Sequence, residues 1–139
     1  MTDRTIEQAQ QDIIDKFSVF DDWTERYQML ISMGKSTQNY PESKKIDAYK
    51  VSGCQSQVWL DSWLENGRLK IQGTSDAAIV SGLIAMLIAV YDNQTPQDIL
   101  NTPPHFIDDI GFAGHLSPTR SNGLYAMLKR IRQFAENAA

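Results

Sequence analysis

Val58-Trp59-Leu60-Asp61-Ser62-Trp63-Leu64-Glu65-Asn66-Gly67-Arg68-Leu69-Lys70-Ile71 is the stretch whose reading decides the fold. Asn66-Gly67 is the preferred pair for a two-residue type I′ turn, since both central positions of that turn need φ above zero. With the turn placed there, Glu65 faces Arg68, Leu64 faces Leu69, Trp63 faces Lys70 and Ser62 faces Ile71. The two-residue period of a strand then sorts the side chains. Val58, Leu60, Leu64, Leu69 and Ile71 fall on one face, expected to be core. Gln57, Trp59, Asp61, Trp63 and Lys70 fall on the other, expected to be partly wet.

Upstream of the hairpin, Ala48 to Val51 is short enough to be an edge strand, so the expected fold is α+β with a small three-stranded antiparallel sheet. Between that edge and the hairpin runs Val51-Ser52-Gly53-Cys54-Gln55-Ser56-Gln57, which holds the only cysteine of the chain. Gly53 permits backbone angles closed to other residues and suits a tight turn that presents the next side chain. Gln55, Ser56 and Gln57 offer hydrogen bonds without a carboxylate that would oppose thiolate formation. Two readings of Cys54 stay open: a small buried hydrophobe, as free cysteines often are, or a thiol displayed on a turn.

The remaining segments read as helices. Thr5 and Gln8 have capping-box spacing, and Ile6, Ala9, Ile13, Ile14 and Phe17 follow at helical intervals. Asp21 or Asp22 caps a second helix with Trp23, Tyr27, Leu30 and Ile31 on one face and Gly34 as its stop. Lys35 to Asp47 is polar, aperiodic and carries Pro41, so it is expected to be a surface loop. Beyond the hairpin, Ser75 or Asp76 caps a helix whose apolar residues surround it almost completely, the pattern of a buried helix. Its small residues Ala78, Gly82, Ala85 and Ala89 would let it lie close to a neighbour, and close packing would offset the helix propensity lost at Gly82, about 1 kcal/mol relative to alanine. Thr95-Pro96 and Ser117-Pro118 are cap-then-proline starts, of a short helix stopped by Pro103-Pro104 and of a long final helix with Leu124, Met127, Leu128, Ile131, Phe134 and Ala135 buried. His105 to Phe112 is expected to form another short helix. Asn122-Gly123 sets two poor helix formers inside the final helix, and local rules fail most often at functional or tightly packed sites.

Three ordered blocks carry a resemblance: Gly53-Cys54-Gln55-Ser56-Gln57-Val58-Trp59, then Gly73-Thr74-Ser75-Asp76-Ala77-Ala78-Ile79-Val80-Ser81-Gly82-Leu83, then Leu116-Ser117-Pro118-Thr119-Arg120-Ser121-Asn122-Gly123-Leu124. Together they resemble the SufE family, sulfur-acceptor partners of cysteine desulfurases. The resemblance implies one SufE-like domain over residues 1–139, with helices packed on one face of the sheet in the scaffold fold shared with NifU and IscU-like proteins. It implies that Cys54 is the nucleophile that takes persulfide sulfur from a homodimeric cysteine desulfurase, stimulates that enzyme and relays sulfur to an iron–sulfur assembly complex, with no independent turnover. Pyridoxal phosphate then belongs to the partner, and the chain has no cofactor or metal of its own. Gly53 and Gln55 support the thiol, Arg120 is the candidate to hold the charged sulfur, and Asp76 either restrains the cysteine loop or caps its helix. Near the N-terminus of the final helix, the backbone N–H groups around Arg120, Ser121 and Asn122 would favour an anionic sulfur. Gln55 is the residue that favours a partner of the SufS type over one of the CsdA type, served by CsdE-like paralogues that tend to carry an acid there.

Composition narrows the rest. A chain of 139 residues can bury a core without staples, and a single cysteine permits no intrachain disulfide, in keeping with a reducing compartment. The polar start Met1-Thr2-Asp3-Arg4 and the lack of a span of about 20 apolar residues predict a soluble, cytoplasmic protein. Net charge −4 and pI near 5.0 lack the basic excess of a nucleic-acid binder, leaving only local groups at Lys44-Lys45 and Lys129 to Arg132. There is no Walker or dinucleotide-type glycine-rich loop. A Cys-His hydrolase would need His105 or His115 beside Cys54, and a cluster scaffold would need several cysteines. The rival of a different class is an adaptor that docks on a desulfurase and regulates it without carrying sulfur.

Overall fold

The structure, a computed structural model, describes residues 4–138; the polar start Met1 to Asp3 lies outside the described residues. Helix α1 (Ile6–Ser18) begins on the expected capping box: Thr5 accepts from the Gln8 amide and the Gln8 side chain accepts from the Thr5 amide. Ile6, Ala9, Ile13 and Phe17 are buried at the predicted spacing. Helix α2 (Trp23–Gly34) is capped by Asp22, whose carboxylate accepts from the Thr24 amide. The hairpin pairs β1 (Val58–Glu65) with β2 (Arg68–Ser75) in the register Leu64↔Leu69 and Ser62↔Ile71, with Asn66 and Gly67 both at positive φ as a type I′ turn demands. Then come α3 (Ala78–Tyr91), α4 (Pro96–Asn101), α5 (Phe106–Ile110) and α6 (Pro118–Ala138).

The fold is mixed helix and strand and, among the described residues, its antiparallel sheet has two strands where three were expected. Ile46 to Tyr49 winds into a 3₁₀ turn and Gly53 reverses the chain, so only Lys50 and Val51 are extended beside β1. They make one bridge, Lys50 to Trp59, with the Val51 amide donating to the Val58 carbonyl at 2.9 Å. The other edge is blunted in a similar way. Leu69 exchanges backbone hydrogen bonds with Asn93 and Gln94, and the Ile71 amide donates to the Asp92 carboxylate. Both rows of unpaired strand groups are thereby covered in part, which protects a short sheet from pairing with another chain.

The two faces of the hairpin depart from the simple wet-and-dry division. Val58, Leu60, Leu69 and Ile71 are buried in the common core with α3, as expected, but Leu64 is 49 % exposed because the turn end of the hairpin projects past the helices. On the opposite face Asp61 is buried, at 3 % exposure. It is covered by the segment read from sequence as a surface loop, which is three 3₁₀ turns between Lys35 and Tyr49. Lys44 pairs with Asp61 at 2.9 Å while lying over the Trp63 ring, Lys45 lies over Trp59, and Thr37 bonds Thr74 at 3.1 Å. Tyr40 is buried beside them, and that burial, with the Asp61 carboxylate second, pushes its phenol pKa upward.

Helix α3 is the hub. Val80, Leu83, Ile84, Met86, Leu87, Val90 and Tyr91 are all buried, and its small residues set how near α2 can come. A Cβ on Gly82 would lie 2.2 Å from the Leu30 carbonyl oxygen, and one on Gly34 would lie 2.7 Å from the Gly82 amide nitrogen. Gly34 therefore serves close packing; it is not a left-handed stop, for the chain continues right-handed into the first 3₁₀ turn. Neither Ser75 nor Asp76 caps α3. Ala77 holds the N-cap position with no side-chain cap bond; the Ser75 hydroxyl accepts from the Ala77 amide at 3.2 Å, but it and the Asp76 carboxylate are otherwise turned to Gln57.

Replacing Gly82 by alanine forces Cβ against the backbone of α2, which no rotamer can relieve. The expected loss is about 3 kcal/mol, read as a lower urea midpoint with unchanged slope.

Candidate functional site

Cys54 follows a glycine at φ +90°, a left-handed conformation that would strain any other residue there. The turn folds the loop against α6: a Cβ on Gly53 would come within 3.3 Å of the Ala126 Cβ, and one on Gly123 would sit 3.6 Å from the Cys54 Sγ. The glycine inside the final helix thus faces the thiol, and a side chain there would sit in contact with Sγ. Cys54 is half-buried and donates to the Gly123 carbonyl at 3.7 Å.

Around the sulfur is a small pocket. Gln55 and Ser56 close it from the loop, Val80 and Leu83 from α3, and Thr119, Arg120, Gly123 and Met127 from α6. Its free volume of about 20 Å³ has room for one further atom of about the size of a water. Burial raises the thiol pKa, because desolvation disfavours the charged form. The acceptor at Gly123 also suits S–H over S⁻. Backbone N–H groups of the α6 N-terminus do not serve the sulfur as expected: the Arg120 amide donates to the Ser117 hydroxyl and the Ser121 amide to the Ser117 carbonyl. Asn122 is exposed and is not part of the pocket wall. The resting site therefore favours the S–H form of a half-buried thiol.

The predicted residues Gly53, Cys54, Gln55 and Arg120 are gathered at this place, with the Arg120 side chain exposed at the pocket wall. Asp76 is not in the wall. Its Oδ1 accepts from the Gln57 amide at 3.0 Å, and the Ser75 hydroxyl donates to the Gln57 carbonyl at 2.7 Å. Two adjacent side chains at the end of β2 thus hold both backbone groups of Gln57, three residues beyond Cys54, and fasten the loop at its far end. Of the two readings of Asp76, restraint of the loop is the one its contacts fit. Ser75 as a second fastener was missed, since a serine before a helix reads as a cap. Val80, Leu83 and Met127, core positions by their periodicity, also line this pocket, and of the irregular pair Asn122-Gly123 it is Gly123 that lies against the thiol.

Both histidines are committed elsewhere. His105 links Glu7 of α1 at 3.0 Å to Asp109 of α5 at 2.7 Å, and those two hydrogen bonds, Asp109 first, raise its pKa. His115 stacks on Trp23 with ring centroids 4.0 Å apart, and its carbonyl accepts from the Tyr27 hydroxyl. Neither lines the Cys54 pocket, so no imidazole is placed to activate the thiol as a Cys-His hydrolase requires.

Asp76→Ala removes one charge-assisted bond at an exposed position, about 1 kcal/mol, and should raise the rate of Cys54 alkylation about fivefold. In the parent protein the alkylation rate should climb with pH to a midpoint above the ordinary cysteine value of about 8.5, since burial favours the protonated thiol. In the variant that midpoint shifts downward as the loop opens to water. Iodoacetamide kinetics followed by intact mass read both effects.

Comparison with known proteins places this arrangement in a family. A family model described as "Fe-S metabolism associated domain", SufE, matches residues 11–135. An uncharacterized SufE-like protein of Synechocystis sp. is 39 % identical over 86 % of this chain and 76 % of its own length. One from Rhizobium etli is 41 % identical over 89 % and 87 %, and one from Rhizobium meliloti 38 % identical over 89 % and 92 %. A solution structure of a hypothetical protein from Thermus thermophilus superposes with a TM-score of 0.77 at 20 % identity, covering 94 % of this chain and 95 % of that one, a likeness of fold. Over most of its length, from α1 to α6, the chain belongs to the SufE family.

Proposed function

We propose that this chain is a cytoplasmic sulfur acceptor, which takes persulfide sulfur from a cysteine desulfurase onto Cys54, stimulates that enzyme and passes the sulfur to an iron–sulfur assembly complex. The observation that carries the reading is the pocket beside Sγ, closed by α3 and α6 and sized for about one more atom. The transfer conserves electrons. Cys54 loses its proton to solvent, and its thiolate attacks the outer sulfur of the donor's cysteine persulfide. The donor's S–S bond breaks, its cysteine leaves as a thiolate, and the sulfane sulfur continues as a persulfide on Cys54. Pyridoxal phosphate does the preceding carbon–sulfur chemistry in the partner, and this chain supplies no independent turnover.

The site's resting state fits a carrier better than a free-standing nucleophile. A thiol whose pKa is raised by burial attacks poorly, so transfer requires the loop to swing out about Gly53 and release Gln57 from Asp76. After transfer the loop returns and the terminal sulfur occupies the space left by Gly123, away from oxidants that would destroy it. Arg120, exposed beside the pocket, would attract the persulfide anion, which is charged at neutral pH where a buried thiol is not. The kinship with NifU and IscU-like scaffold folds implied by the resemblance belongs to the same proposal. What separates this chain from such scaffolds is its one cysteine, too few to hold a cluster.

The raised thiol pKa also favours a second reading, a docking regulator with Cys54 incidental. Cys54→Ser divides the two: it keeps the side-chain shape and a donor for Gly123 but cannot carry sulfur. With a desulfurase and cysteine present, the parent protein should gain the mass of whole sulfur atoms, removable by reductant, and the variant none. Stimulation of the desulfurase should vanish in the variant while docking persists; stimulation that survives the change makes the protein a regulator.

Gly123→Ala tests the pocket itself. The added methyl sits at ordinary contact distance from Sγ, so the protein should fold and gain about 1 kcal/mol from helix propensity. The room for a second sulfur disappears, and persulfide retained on Cys54 should fall several-fold by intact mass.

A further inference from the structure

Two hollows flank the cysteine loop, and among the described residues the charged members of their walls are all cations. The Cys54 pocket has Arg120. On the other side of the Gly53–Cys54 step an open groove of about 390 Å³ runs between the loop and α6, walled by Ser52, Gly53, Lys129, Arg130 and Gln133 among others. The chain as a whole is acidic, with 17 Asp and Glu against 13 Lys and Arg, so hollows lined by cations run against its composition. The acids of the adjoining elements, Asp47 before the bridge and Glu136 toward the end of α6, do not line the groove. Asp76 is engaged with Gln57.

The cations differ in how they are held. Arg130 donates to the Ala48 carbonyl at 3.1 Å and lies over the Phe134 ring, which fixes it in the groove wall. Lys129 is exposed and, among the described residues, takes part in no ion pair; the same holds for Arg120 on the far side of the loop and for Lys50 at the bridge. Charged side chains held apart from counter-charges beside a reactive loop give a field that attracts an acidic surface and orients it.

We infer that the Lys129–Arg130 groove receives an acidic segment of the sulfur-donating protein, whose carboxylates seat beside the two cations and set its persulfide over the Gly53–Cys54 step. This rests on the sulfur-acceptor reading and adds the chemistry by which the partner is recognised. Gly53 belongs to the wall of the groove and to the hinge of the loop at once, so occupation of the groove bears on the residue about which Cys54 must move. A rim charge of this kind acts chiefly on the rate of association and its salt dependence.

The test measures sulfur loading of Cys54 against the concentration of a purified cysteine desulfurase supplied with cysteine, at low and high NaCl. Lys129→Glu should raise the desulfurase concentration for half-maximal loading about five- to tenfold at low salt, with the plateau rate unchanged. Lys129→Arg should behave as the parent, and the difference should shrink at high salt as charges are screened. Reaction of Cys54 with 2,2′-dipyridyl disulfide, an uncharged probe, should be the same in all three. Equal concentration and salt dependence for Lys129→Glu and parent overturns the inference while leaving the carrier intact; a parent protein that takes up no sulfur overturns the carrier and the inference together. If Lys129→Glu also alters the disulfide reaction, Gln133→Glu decides, since it puts a carboxylate in the same groove one turn along. Weakened loading in that variant supports the acidic partner, and unchanged loading overturns it.

Discussion

The approach of α2 to α3 at Gly82 and Gly34 is the constraint on which the rest of the molecule depends. Backbone meets backbone there without an intervening side chain, so the two helices form one rigid unit and α3 can be buried on nearly every side. From that fixed helix Val80 and Leu83 project to one wall of the cysteine pocket, and Ile84 reaches the hairpin near Gly73. Packing of this density transmits position accurately. The hairpin, the cysteine turn that precedes it and the long α6 are all placed relative to a helix that cannot shift without a clash.

Against that rigid frame the cysteine loop is lightly held. Its near end turns on Gly53 at positive φ, its far end is fastened through the two backbone groups of Gln57, and its middle rests on Gly123. Few polar bonds restrain it, one of them to the exposed Asp76 side chain, whereas the frame is held by apolar burial. Regions that must move are drawn from the part of a structure with low local stability. The same burial that shields the thiol raises its pKa, so protection and reactivity oppose one another in a single conformation. A movable loop resolves the conflict by separating them in time.

The second face of the hairpin shows how a two-stranded sheet persists in a protein of this size. An isolated hairpin is marginal in water, and here the Lys35–Tyr49 segment lies over the face away from the helices. The Lys44–Asp61 pair is buried on the carboxylate side, with two lysines over two tryptophan rings around it. Buried ion pairs contribute little net stability, so their main effect here is to fix where an otherwise aperiodic segment sits. That segment was opaque in sequence because its contacts are not periodic: Thr37 reaches Thr74, and Lys44 reaches Asp61, across a turn whose geometry no local pattern encodes.

Features written in short-range chemistry were legible from the residues alone. Asn66-Gly67 dictated the hairpin register through φ, Thr5 and Gln8 dictated the start of α1 through reciprocal capping, and Thr95-Pro96 and Ser117-Pro118 marked two helix starts. Gly53-Cys54 likewise marked the turn that carries the thiol. Tertiary structure alone decided what depends on chain segments meeting from afar. Asp76 left its helix to bind Gln57, the expected third strand shrank to one bridge because 3₁₀ and glycine turns bracket it, and Leu64 passed from core to surface because no helix reaches the hairpin's end. Local preferences are set within a few residues, whereas burial and pairing are set by whichever distant surface arrives.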